Sequence, residues 1–243
     1  MRLRHFHCPL ISIVAVAAIV CVACSFVRSN ESPLTSKRAN TNQNQTTNRK
    51  RETPATTLPS PPSPKILSRQ EWKAKDAVGK MQPNTPQRIT IHHTASPQKD
   101  GITIEKKMQN LQNFSQSESR LASGGNKPPW PDVPYHYYIA VDGQIAEGRD
   151  IKYVGDTNTD YDPSGHLLIV LEGNFETEQP SSKQVESLLE LVALLSANLE
   201  IPVSEIKAHN DYAATACPGV SLKNALPVLR QRVAEIRGRG ASS

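Results

Sequence analysis

The run His166–Leu171 (HLLIVL) is apolar at five successive positions. A strand with one wet face alternates between apolar and polar residues; a strand without alternation is covered on both sides, as in the sheets of α/β proteins. The flanking sequence supplies the cover. Ser181–Glu200 is the clearest helix. Ser181 and Gln184 fit a capping box, and Val185, Leu188, Leu189, Val192 and Leu195 form its buried stripe. Thr103–Leu121 has Ile104, Met108, Leu111 and Phe114 near helical spacing, and Leu222–Ile236 reads as a last helix. Other segments read as strands: a short strand entering a turn over Ile66–Trp72, the β-branched Arg88–His93 (RITIHH), and Ile206–His209. Tyr135–Val141 and Gln144–Glu147 flank Asp142-Gly143, a hairpin signal. Ser123–Pro134 is a Gly/Pro loop carrying Trp130. Strands and helices interleave, so the expected class is α/β: a single domain with a central mixed β-sheet flanked by helices.

Composition shifts abruptly near Lys65. Residues 1–27 hold two arginines, then the apolar stretch Leu10–Ala23 and the sequence Val22-Ala23-Cys24-Ser25. A basic start followed by a short apolar stretch reads as an export signal. The segment around Cys24 resembles a bacterial lipobox, with Cys21 where Leu is usual; the competing readings are an uncleaved membrane anchor and an ordinary cleaved signal. Residues 28–64 are rich in Asn, Thr, Gln, Ser and Pro and offer almost nothing to bury, which predicts a disordered linker. A folded domain is expected over 65–236, with a flexible tail over 237–243.

The net charge of +5 misleads until it is divided. Residues 28–64 carry six basic and two acidic residues, whereas 65–243 carry 20 basic against 21 acidic. The domain itself has no basic excess, which argues against nucleic acid as a partner. Three of the four cysteines lie in the first 24 residues, and Cys217 is the lone thiol of the domain. No disulfide within the domain is possible. An exported lone thiol is exposed to oxidation, and a metal bond would protect it.

Three scattered residues suggest that metal: His92 in ITIHH, His209 in IKAHNDY and Cys217 in TACPG. Two imidazoles and a thiolate suit Zn2+, and three protein ligands leave the fourth tetrahedral position open, as in catalytic sites. Successive strand residues face opposite sides, so at most one of His92 and His93 reaches a given metal. If the Ile89/Ile91 face packs into the core, His92 points into the cleft; if both faces are covered, the choice stays open. Cys217 follows His209 by eight residues, across a loop able to bring both side chains to one point.

Residues 66–230 resemble the zinc N-acetylmuramoyl-L-alanine amidases, the family that includes peptidoglycan recognition proteins and amidase-type phage lysozymes. The matching blocks run in the family's order: SRQEW (Ser68–Trp72), ITIHHTA (Ile89–Ala95), PYHYYIAVDGQIAEGRD (Pro134–Asp150), VGD (Val154–Asp156), IVLEGNF (Ile169–Phe175) and AHNDYAATACPG (Ala208–Gly219). The resemblance implies His92, not His93, as first ligand, with His209 and Cys217 as the others. It implies Tyr135 as an active-site tyrosine that orients water or donates to the oxyanion, and Thr215 as an assisting hydroxyl. The bond cut would join the lactyl group of N-acetylmuramic acid to L-alanine, in peptidoglycan or muropeptides, and the protein would work as a monomer.

Departures from the family pattern matter. Related cytoplasmic recycling amidases carry a Glu base where this chain has Val170; Glu172 lies two residues on. The base is then left to the metal's own water, Tyr135 or another group. Relatives often place a His after the VG pair, where this chain has Asp156 and Thr157. His136 and His166 read as structural. The alternative to a hydrolase is a non-catalytic peptidoglycan-binding module; family members of that kind commonly lose the Cys ligand, which this chain keeps. A structural zinc site would need a fourth ligand such as His93 or Asp211. Animal recognition proteins usually hold a disulfide in the domain; its absence, with the leader, points to a bacterial protein, an outer-membrane lipoprotein facing the periplasm, with inner-membrane anchoring or secretion as alternatives.

Overall fold

The computed structural model describes residues 63–120 and 125–240. The expected leader and lipobox-like Cys24, nearly all of the expected linker and the final residues of the tail lie outside the described residues. In chain order the elements are β1 (Ile66–Leu67), β2 (Arg88–His93), α1 (Ile104–Ser115), β3 (Ser119–Arg120), β4 (Asn126–Lys127), β5 (Tyr137–Ile139), β6 (Ile145–Glu147), β7 (His166–Leu171), α2 (Ser182–Asn198), β8 (Ile206–Ala208) and α3 (Val220–Gly240). Six strands form one sheet in the order β1-β6-β5-β7-β2-β8, and β3 and β4 form a separate pair. Within the large sheet only β5 and β6 run antiparallel; the other neighbours are parallel. The mixed α/β class expected from the sequence is the class observed.

The apolar run His166–Leu171 is β7, in the middle of the sheet and buried at every position. Its residues divide between two cores. Leu167, Ile169 and Leu171 join Ile89 and Ile91 of β2 and the inner stripes of α2 and α3. Val170 faces the other way, with Tyr138, Ala146, Trp72 and the α1 residues Ile104 and Met108. Helices therefore cover both faces of the sheet, which is why the strand shows no alternation.

The helices begin where the sequence signals them. Ser181 and Gln184 close the capping box of α2, and Thr103 caps α1 by accepting from the Lys106 N–H. Gly143, in the β5–β6 turn at φ 86°, lets that turn lie on α2; a Cβ there would sit 2.9 Å from the Cβ of Lys183. The ends differ from expectation. α1 stops at Ser115 instead of running to Leu121, because the following residues pair as β3 with β4 inside the expected loop. The Lys127 ammonium donates to the carbonyl oxygens of Ser115, Ser117 and Pro128, which closes the helix end. α3 extends past Ile236 to Gly240, into the expected tail. Arg237 fastens that stretch by donating to the Ile201 carbonyl at 2.7 Å.

Candidate metal centre

The register of β2 against β8 pairs Ile91 with Ala208. The next residue on each parallel strand is a histidine, so His92 and His209 leave the sheet side by side at its carboxyl edge, with ring centroids 4.4 Å apart. That edge is where ligands bind in open α/β sheets. β8 ends at Ala208, one residue earlier than expected, and a tight turn over His209–Asp211 follows. The Asp211 carboxylate holds the turn by accepting from the Ala208 N–H at 2.8 Å and from the Lys223 ammonium. The returning chain is tied back by the Asn210 N–H, which donates to the Cys217 carbonyl at 3.0 Å. The Cys217–Pro218 peptide is cis. Gly219 then passes the backbone of Phe175 so closely that a Cβ would come within 2.4 Å of it, and its φ is 90°.

These three elements bring together the three residues that the sequence scattered. The candidate ligand atoms of His92, His209 and Cys217 lie within 4.8 Å of one another. Cys217 Sγ is 3.6 Å from His92 Nδ1 and accepts from the His93 N–H at 3.4 Å. His209 Nε2 lies 2.7 Å from the Thr159 hydroxyl, whereas His209 Nδ1 is buried with no hydrogen-bond partner. Buried polar atoms are ordinarily paired; His92 Nε2 is unpartnered as well, and a group of two imidazoles and a thiol with open ring nitrogens could hold a cation. Burial pushes the His209 imidazole down to about 4 and holds His92 well below the usual histidine range, with neighbouring histidines adding to the effect on both. Both rings are therefore neutral, the form that binds metal. Burial also pushes the Cys217 thiol up to about 12, opposed by the His93 N–H. A cation would supply the positive field that a thiolate needs there. One thiol and two neutral imidazoles fit zinc.

The other candidates divide. Tyr135 stands beside the centre, its ring centroid 5.3 Å from that of His92. It precedes β5 instead of lying in it, and packs on the α1 side with Tyr138, which strict strand alternation from Tyr135 would not give. Burial, then Cys217 and Tyr161, keep its phenol far above the usual tyrosine range and hence neutral. The Thr215 hydroxyl accepts from the Cys217 N–H at 3.2 Å, a local bracing of the loop that leaves its O–H free to donate. His93 turns to the opposite face, where its Nδ1 accepts from the Phe175 N–H. His136 bridges the Leu168 N–H and the Tyr153 carbonyl, and His166 pairs with the Thr90 hydroxyl at 2.7 Å. Val170 pairs in register with His92 and offers no base. The Glu172 carboxylate is taken by Lys107 and by the N–H groups of Lys99 and Val141.

Sequence reasoning missed three contributors. Arg149 is buried and donates to the carbonyls of Val133, Val154 and Asp132 and to the Asp156 carboxylate, which clamps the segment before Tyr135 to the segment after Val154. Tyr161 lies tilted against His209, with ring centroids 5.1 Å apart, and its hydroxyl is buried without a partner. Thr159 touches His209 directly. Arg149 lies in a block that matched the family; Thr159 and Tyr161 lie in the stretch that departs from it, where only the fold reveals a role.

Comparison with known proteins agrees with this arrangement. The family model described as N-acetylmuramoyl-L-alanine amidase matches residues 82–220. Peptidoglycan-recognition protein SD of Drosophila melanogaster is 31% identical over 166 residues, 65% of this chain and 81% of that protein. The endolysin of Enterobacteria phage T3 is 33% identical over 99 residues, 39% of this chain and 64% of that protein. Among solved structures, Drosophila peptidoglycan recognition protein SD superposes with a TM-score of 0.58 at 30% identity, covering 67% of this chain and 93% of its own.

Proposed function

Because the chain belongs to the N-acetylmuramoyl-L-alanine amidase family, we propose that it is a zinc-dependent hydrolase of peptidoglycan that cuts the amide between N-acetylmuramic acid and L-alanine. The observation that carries the zinc assignment is the buried His92–His209–Cys217 cluster with its unpartnered His209 Nδ1. Zinc held there would polarise the scissile carbonyl and bring water at its open position close to neutral pKa.

The chain's own residues supply the rest. Tyr135, neutral at working pH, donates a hydrogen bond to the oxygen that gains charge as the carbonyl becomes tetrahedral. Thr215 offers a second donor with its free O–H. Arg149 and Asp132 hold Tyr135 in place from behind; Asp132 itself is fixed by Arg69 at 2.8 Å and Gln112 at 2.8 Å. The leader supports an exported location, with the domain tethered at a membrane and facing the cell wall.

Digestion of purified peptidoglycan tests the proposal. Released stem peptides should begin with a free L-alanine amine and leave intact glycan, as read by mass analysis. Chelator or Cys217→Ser should lower the rate by about 10³-fold, in line with losing several kcal/mol of metal assistance. Unchanged release under both treatments would sink the zinc mechanism. Wall binding without release, by a chain that holds no zinc, would favour a recognition module.

A further inference from the structure

We propose that Thr159 is a positioning residue of the metal centre: its hydroxyl selects the His209 tautomer that carries its proton on Nε2 and leaves Nδ1 bare toward the cation. The inference rests on the zinc reading above and goes beyond it to a residue outside the family's matching blocks.

Three observations carry it. The Thr159 Oγ1 to His209 Nε2 distance is 2.7 Å, a full hydrogen bond. The Thr159 hydroxyl is in turn 2.7 Å from the Thr157 hydroxyl, which also accepts from the Thr159 N–H at 3.1 Å. A hydroxyl has one proton. Either hydroxyl of this pair can donate to the other; in the proposed arrangement Thr159 gives its proton to Thr157 and accepts from His209, so Nε2 bears the hydrogen and Nδ1 keeps its lone pair. Nδ1 is the nitrogen that is buried and unpartnered. The opposite tautomer would place an N–H where the cation belongs.

The surrounding contacts make this arrangement rigid. The His209 ring is flanked by Tyr161 at 5.1 Å and His92 at 4.4 Å between centroids. The segment bearing Thr159 is anchored at its start by the Arg149–Asp156 ion pair and by the Val154 N–H, which donates to the Gln82 carbonyl at 2.9 Å. The same arginine holds the segment before Tyr135. Residues that orient metal-binding histidines through the other ring nitrogen raise metal affinity by about 10–100-fold.

The test is the zinc dissociation constant of the full chain, measured by competition with a chromogenic chelator at fixed pH, beside the urea midpoint of each metal-free protein. Thr159→Val, which keeps shape and removes the acceptor, should weaken zinc binding by about 10–100-fold, with Thr159→Ser close to wild type. Thr157→Val should fall between the two, since it disturbs only the direction of the Thr159 proton. Equal affinity of Thr159→Val and wild type, or equal losses in the Ser and Val variants, overturns the inference. If Thr159→Val does not fold without metal, Thr157→Val decides: an unchanged dissociation constant overturns it. A wild-type chain that takes up no zinc overturns the zinc reading itself, and this inference with it.

Discussion

The two sides of strand β2 are equally buried and chemically opposite. Ile89 and Ile91 are fully buried among hydrocarbon from α2 and α3, and His93 on that side finds the Phe175 N–H. Thr90 and His92 are also almost fully buried, yet they face polar and aromatic groups. Among the described residues, the buried side-chain atoms without partners are Arg88 Nε, His92 Nε2, Tyr161 Oη, His209 Nδ1, Asn210 Oδ1 and Tyr212 Oη. Arg88 and His92 share the Thr90 side of β2, and Tyr161 and Tyr212 pack on His166, the partner of Thr90. One side is satisfied internally, and the other keeps polar valences for something that binds. Burial alone would not have separated them; hydrogen-bond satisfaction does.

That contrast can be broken from either side. The largest effect on stability should come from the hydrocarbon side: Ile169→Ala should cost about 2–5 kcal/mol in urea unfolding. The zinc dissociation constant of the folded variant should stay as in wild type, and a parallel loss of metal affinity would show the two sides to be coupled. Tyr135→Phe attacks the other side. It should lower the rate of amide cleavage by about 10²–10³-fold with zinc content and unfolding midpoint unchanged; a rate within a few-fold of wild type would remove Tyr135 from catalysis.

The smallest effect is on pH dependence. Burial pushes His136 and His166 down to about 4, below the ordinary value of 6.5. A depressed histidine contributes stability that is fully present above the unfolded value and is lost as pH falls from 6.5 toward 4. Protonation of His136 would remove the lone pair that accepts from the Leu168 N–H. The metal-free protein should therefore lose stability in acid, by about 3 kcal/mol for His136 across that window. His136→Gln should start less stable at pH 7 and show a shallower decline of the urea midpoint; an identical slope would mean that His136 does not titrate with unfolding.

Much of this molecule is written locally. The unalternating β7, the capping box of α2 and the Asp142-Gly143 turn each carry their conformation in adjacent residues, because backbone hydrogen bonds and side-chain periodicity act over short range. Where the structure departs from the local reading, the cause is a contact between residues distant in sequence. The helix expected over Thr103–Leu121 ends at Ser115, whose carbonyl accepts from Lys127, supplied from a later strand. Arg237 looked like tail, and its bond to Ile201 lies across the sequence from it.

The candidate site shows the same division. Residue type and the family's blocks nominate His92, His209, Cys217 and Tyr135, since ligand chemistry restricts which side chains can serve, and the fold brings these four together. They did not show that Thr215 braces its own loop, that Arg149 clamps the Tyr135 segment, or that Thr159 meets His209 across 50 residues. Thr159 is an ordinary threonine until the chain folds, because a hydrogen bond depends on ångström-scale placement that no residue type encodes. Periodicity and side-chain chemistry alone are enough for the layered α/β class and for the chemical inventory of the centre. Which nitrogen of His209 lacks a hydrogen-bond partner depends on the fold, which sets one threonine hydroxyl against the ring's other nitrogen.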